Sequence, residues 1–559
     1  MKWKKVIRHH GAVLATMAAL LASSVPAAGT RLQDLHAQFK NPSMDCRPHT
    51  FWFWPYSAVT REEITWELQQ MRDHGLGGVL IWTAFRMYEK GCLPYLSDEY
   101  LDLLRHAVAT AHELGLKVSI TPGPGFSMGG YWVPPAERSK SLVASHKDIV
   151  GPLHYSGPLP AWKKAGDHRG EIRVEDIPDA ETVVAVQAAR IVEGKLDPAS
   201  WVDLSAQVRD STLAWHVPDG VWRLITFRLK PTGYRVTARE NDPDFDFWGI
   251  DYFSEQAVRN YCQFLLTDRF AKAFGGYFGK TLESIFIDSF ELPNLPHGIY
   301  WSDSLLIKFK NYKGYDLTPY LPAIWYDMGE PTPKIRYDVN DFLHYQGLES
   351  FFKPFLHWCS DHGVQGAIEP YGFTTDVLQG AGISHTPIME ITPGEKDAVP
   401  WFDTRIGPKR YLASGAHLYG KKVVGVEAYT YIHWELYRSA LAELKIASDG
   451  FLTAGANKFY HLGYSYSPER RLTPSRIVPW EAVINHLNIW WPYYPLLSDY
   501  ITRCCYLLRQ GDPVADVAVY SPLANQWTQD VFNARKWSRE FDWGDLGKLL
   551  IANGYNFDL

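Results

Sequence analysis

Cysteine is scarce and unpatterned in this 559-residue chain: Cys46, Cys92, Cys262, Cys359, Cys504 and Cys505 include no Cys-x-x-Cys pair. A disulfide scaffold and a thiolate metal site are therefore both excluded, although an oxidising compartment could still join Cys46 to Cys92. Basic charge is also short. The formal net charge is -6, and no Lys/Arg cluster is interleaved with aromatics, so nucleic acid is excluded as a partner. A phosphate-binding loop, a dinucleotide fingerprint and a His-Glu-x-x-His zinc motif are all missing. After the N-terminal leader, no run approaches the ~20 apolar residues that a membrane span needs.

That leader is the first thing the sequence does contain. Lys2, Lys4, Lys5 and Arg8 precede an apolar run from Gly11 to Val25, and Val25-Pro26-Ala27 offers small residues for cleavage. Residues 1–27 thus read as a signal peptide, which places the mature chain in the periplasm or outside the cell, with no membrane partner once it is removed. The remainder is too long for one ordinary core. Hydrophobic residues make up 46% and aromatics 14%, with 22 tryptophans. Most of these belong to a globular interior, but such an excess also suits a site that stacks on sugar faces.

From Phe51 to Thr121 the text alternates strand, helix, strand, helix, strand, the signature of parallel βαβ units. Residues 28–149 are the first part of a barrel. Short alternating runs then take over, with Val217-Pro218-Asp219-Gly220-Val221-Trp222 reading as a tight turn, so residues 150–236 form a small inserted β-sandwich. The alternation resumes over residues 237–510, and residues 511–559 open a further α/β domain. The fold class expected is α/β, a (β/α)8 TIM-like barrel with that insertion.

The second part of the barrel carries the chemistry. The apolar run Ile285 to Ile287 ends in Asp288 and Glu291. Later runs end in Glu369, Glu390, Glu427 and His461. On a closed barrel, strand ends share one mouth. Carboxylates and aromatics around a mouth suit glycoside hydrolysis, which needs one carboxylic acid to protonate the leaving oxygen and one carboxylate to activate water or attack. Glu369, followed by Pro370-Tyr371-Gly372, also reads as a carboxylate bonded to a neighbouring loop, and ranks below Glu291 and Glu427. With His461 and with Trp54, at the end of the first strand, it is assigned to substrate binding. A lone histidine is equally at home as a hydrogen-bonded barrel residue.

IFIDSFELP and the following WSDSLLIKFKNYKGYDLTPYLPAI, with FWFWP, VVGVEAYTY, FYHLGYSYSP and YYPLLSDYITRCCYLLRQGDPVADVAVYSP, resemble glycoside hydrolase family 106, the α-L-rhamnosidases. The resemblance implies an inverting, Ca²⁺-dependent enzyme acting on carbohydrate, with Glu291 as general acid, Glu427 as general base and Asp288 supporting the acid. It implies Glu390 as a metal ligand, although Ile388 stands where the family more often has the first acid of Pro-Glu-x-Glu. It also implies C-terminal β domains that this chain does not contain. Two rivals share these residues: a retaining, β-galactosidase-like barrel glycosidase for another sugar, and a non-catalytic carbohydrate-binding barrel.

Overall fold

The segment His49-Thr50-Phe51-Trp52-Phe53-Trp54 is buried along its whole length, as a strand covered on both faces must be. It is β1 (His49–Trp54) of a closed barrel. The computed structural model describes residues 28–54, 58–83, 93–125, 127–166, 172–236, 246–290, 294–373, 376–390, 406–430, 437–468, 470, 478, 481–531 and 546–559. The leader expected over 1–27, the acid Glu291 and Cys92 lie outside these residues. Cys46 is a buried free thiol.

In chain order the other strands used here are β2 (Gly78–Thr83), β3 (Lys117–Ile120), β4 (Lys140–Pro158), β5 (Thr182–Val192), β6 (Thr212–Pro231), β7 (Leu282–Ile287), β8 (Gly298–Trp301), β9 (Gln365–Ile368), β10 (Thr386–Glu390), β11 (Gly425–Ala428) and β12 (Lys458–Ser465). Eight of them close into a barrel in the order β1-β12-β11-β10-β9-β7-β3-β2, all in parallel pairs. Helices connect them, as parallel strands require. Thr60, Ser97 and Ser254 cap three of these helices by accepting the backbone N–H of Glu63, Tyr100 and Ala257, each satisfying one of the donors that a helix start leaves open.

Alternation along each strand sorts side chains between two cores. Phe51, Phe53, Leu80, Trp82, Phe286, Ala367, Ile388, Tyr460 and Leu462 fill the lumen. Trp52, Trp54, Ile81, Ile287, Ile368, Met389, Val426 and Phe459 face the helices. The lumen is therefore packed, and chemistry is confined to the rim at the C-terminal ends of the strands.

The insertion differs from expectation in two ways. Its pairing begins at Lys140, and its described strands form one seven-stranded antiparallel sheet joined by β8, rather than two stacked sheets. Residues 217–222 are not a hairpin turn. They run through the 20-residue β6 as a bulge, the register against β4 slipping between Val217 and Gly220. Gly220, at φ +106, absorbs the extra residues where a side chain would be strained. Near the chain's end, Val517–Ala518 pairs in parallel with Phe557–Asp558 beyond the helix Leu546–Ala552. This unit docks on the barrel helix Ile406–Leu418 through Asp558, which accepts from Ser414 Oγ at 2.8 Å. No helix among the described residues is long and apolar enough to cross a membrane.

Candidate active site

Strand parity alone sends four carboxylates to the rim. Phe286 and Ala367 point into the lumen, so Asp288 and Glu369, two residues further, do so as well. Ile388 does the same for Glu390. A Cβ on Gly425 would meet Ile388 and Tyr460 of the lumen, which places Glu427 inward too. In register, Glu390 lies beside Glu427.

Three of these groups converge. Carboxylate oxygens of Asp288, Glu369 and Glu427 lie within 4.8 Å of one another, and all three residues are buried. Glu369 is at the centre. Its Oε2 accepts from the Ser289 backbone N–H at 3.2 Å and from the Tyr371 hydroxyl. Its Oε1 is buried without a hydrogen-bond partner. The Tyr371 hydroxyl also lies 3.4 Å from Glu390 Oε2, and Thr430 Oγ1 donates to Glu427 Oε1 at 2.7 Å. Burial pushes the Glu369 carboxyl well above its ordinary range, and the charges of Glu427, Asp288 and Glu390 push it the same way. Repulsion between ionised groups this close is on the order of 4 kcal/mol per pair at an effective dielectric of about 20. The cluster thus either keeps a proton or takes up a cation.

Two residues assigned to substrate are not at the mouth. β12 continues four residues past His461, and His461 points outward, its Nδ1 2.9 Å from the Tyr494 hydroxyl of the helix Tyr494–Leu508. Burial lowers its pKa to about 3, so the ring is neutral. Trp54 shares the outward parity of Trp52, whose Nε1 donates to Glu67 at 2.7 Å. Trp54 lies edge-on to Trp52 and is fully buried, so it offers no face to a sugar. A strand end inferred from its first polar residue misplaced the histidine. Covered faces on both sides hid the tryptophan's parity.

Other groups escaped the sequence. Tyr371 and Thr430 follow Glu369 and Glu427 by two and three residues, spacings that alone carry no signal. Glu481 is buried beside the inward end of β12, its Oε1 accepting from Ser465 Oγ at 3.0 Å. Burial pushes its carboxyl up to about 8. Gly125-Phe126-Ser127-Met128-Gly129 matches the Gly-x-Ser-x-Gly spacing of a nucleophile elbow. Ser127, however, is buried and leads into the short strand Gly129–Gly130 instead of a helix, so this is no elbow.

Comparison with known proteins follows the geometry. A family model described as alpha-L-rhamnosidase matches residues 40–192 and 177–543. A curated relative from Formosa agariphila, provisionally named a beta-glucuronidase, is 25% identical over 517 residues, covering 87% of this chain and 43% of that protein. Among solved structures, a rhamnosidase from Novosphingobium sp. superposes with a TM-score of 0.67 at 18% identity, covering 91% of this chain and 63% of that one. A beta-galactosidase from Halorubrum lacusprofundi gives 0.50 at 10% identity, over 92% and 66%. Both superpositions bear on the fold alone. The chain spans less than half the length of the curated relative and under two thirds of the rhamnosidase.

Proposed function

The chain belongs to the alpha-L-rhamnosidase family, and we propose that it is an exported glycoside hydrolase that removes terminal α-L-rhamnose with inversion. The observation that carries this reading is the convergence of Asp288, Glu369 and Glu427 at the rim of a closed barrel. Glu427, held by Thr430, takes a proton from water. The water oxygen bonds to the anomeric carbon as the glycosidic bond breaks on the opposite face, and Glu291 passes its proton to the departing oxygen. Asp288, three residues before Glu291, supports the protonated acid by its negative charge. Export rests on the leader at 1–27, and N-terminal sequencing of the secreted protein tests it.

Ca²⁺ is the cation that the family resemblance implies, and the donor set fits it. The converging groups are all oxygen donors, the kind this hard ion prefers, and Glu369 Oε1 is buried without a partner. Asp288, Glu369 and Glu427 would hold the ion. Glu390 stands outside the converging three and joins through the Tyr371 hydroxyl. When bound, the ion supplies positive charge among the carboxylates and coordination for sugar hydroxyls.

A panel of aryl glycosides tests the substrate class. Turnover of the α-L-rhamnoside, with none of the β-D-galactoside or β-D-glucuronide, is expected. Turnover of the glucuronide alone would replace this reading with the activity named for the Formosa relative, and rhamnose binding without any turnover would leave a carbohydrate-binding barrel.

A further inference from the structure

The segment that leads from β7 toward Glu291 is fastened at Ile287, Ser289 and Phe290 to the segment that follows β9. The Glu369 backbone N–H donates to the Ile287 carbonyl at 3.0 Å, and the Phe290 N–H donates to the Tyr371 carbonyl at 3.0 Å. Between them, the Ser289 N–H donates to the Glu369 side chain. Phe290 itself is buried against Tyr252, Phe351 and Phe373, with ring centroids 5.5, 5.1 and 5.3 Å away. Gly372 closes the contact. It sits at φ +93, and a Cβ there would overlap the Phe290 carbonyl oxygen and lie 3.2 Å from the carbonyl carbon. The group it would strike is main chain, which cannot swing aside as a side chain can. It belongs to the peptide that joins Phe290 to Glu291.

We infer that Tyr371 and Gly372 are positioning residues for the acid: the Tyr371 carbonyl holds the Phe290 N–H, and the bare Cα of Gly372 leaves room for the Phe290 carbonyl, the group to which Glu291 is bonded in the chain. This rests on the assignment of Glu291 as proton donor. A displacement of about 1 Å in such a group costs on the order of 10²-fold in rate. Placing a Cβ at Gly372 should therefore act as a partial loss of the acid, and its mark is dependence on the leaving group.

The test compares kcat/KM on two aryl α-L-rhamnosides, one with an activated and one with a poor leaving group, in the full-length protein. Gly372→Asn is the main variant, because asparagine tolerates a left-handed backbone but brings the same Cβ. Gly372→Ala adds the backbone strain and Glu291→Gln sets the reference. Gly372→Asn is expected to lose on the order of 10²-fold on the poor leaving group and roughly tenfold or less on the activated one, following Glu291→Gln in direction. Tyr371→Phe keeps the carbonyl, so its loss should be equal on both substrates. Equal losses for Gly372→Asn, or none, would overturn the inference, as would a leaving-group-dependent loss in Tyr371→Phe. If Glu291→Gln itself loses equally on both, the acid assignment fails and takes the inference with it, a pattern distinct from failure of Gly372→Asn alone. A wild type that cleaves neither substrate overturns both.

Discussion

Two acids stand at opposite ends of one barrel strand. Glu283, at the N-terminal end of β7, is paired with Lys458 and lies 3.5 Å from His49 Nδ1. Asp288, just past the C-terminal end, lies among Glu369 and Glu427. Burial alone would raise the Glu283 carboxyl, but the charge of Lys458, then that of His49 and the Lys458 hydrogen bond, outweigh it and hold Glu283 at about 2. At the mouth the neighbours of Glu369 are like-charged and add to burial. A carboxylate is thus neutralised by a cation at the N-terminal end of the barrel and left in like-charged company at the C-terminal rim. Barrels of this kind separate stability from chemistry in this way.

The comparison breaks most sharply on Glu427→Gln. Loss of the proposed base should reduce turnover by roughly 10²–10⁴-fold, while the unfolding midpoint measured without Ca²⁺ holds or rises because a like charge has gone. A matching fall in stability and rate would make Glu427 a scaffold residue. Lys458→Met is the mirror image. It strips Glu283 of its cation and should destabilise by about 3–5 kcal/mol in denaturant titration, with kcat of the folded fraction preserved. Lys458→Met with Glu283→Leu should recover most of that loss.

A smaller effect distinguishes the ends by ligand. Ca²⁺ at a hundredfold excess over its dissociation constant should stabilise the wild type by about 2.7 kcal/mol, and Glu369→Ala should abolish that gain. An unchanged calcium-dependent shift in that variant would move the ion away from Glu369.

The smallest effect is the sign of the pH dependence. Glu283 at about 2, below its ordinary 4.5, contributes stability that is present above 4.5 and lost as pH falls through 2. His49, which burial and then the charge of Lys458 hold at about 3, adds to that acid loss below its ordinary 6.5. Glu481 works the other way. Its contribution is complete below 4.5 and is lost as pH rises through about 8. Glu481→Gln should therefore flatten the alkaline limb of the thermal midpoint alone. An altered acid limb would contradict this placement.

Much of the mouth could be read from residues alone, because a short β-branched run ending in an acid has few other uses. Asp288 and Glu427 arise from that pattern, and Glu369 from a weaker one, Gly366-Ala367-Ile368. What the residues hid was direction. Strands buried on both faces carry no hydrophobic contrast, so the residues alone place Trp54 and His461 at the mouth, whereas parity turns them to the helices. At Gly463 the register between β1 and β12 slips, which no composition signals. The rank of Glu369 was hidden for another reason. Its neighbours come from β7 and β11, 81 residues before it and 58 after it, and only closure of the barrel brings them together. Residues 217–222 read as a turn because Pro-Asp-Gly serves turn and bulge alike.

The central claim is that Glu427 activates water across the sugar from the acid, and the anomer released first is its most direct test. Hydrolysis of an aryl α-L-rhamnoside followed by NMR at early times should show β-L-rhamnose first, with the α anomer growing in only by mutarotation. α-L-Rhamnose as the first product, or a glycosyl adduct trapped on Glu427, would contradict the account.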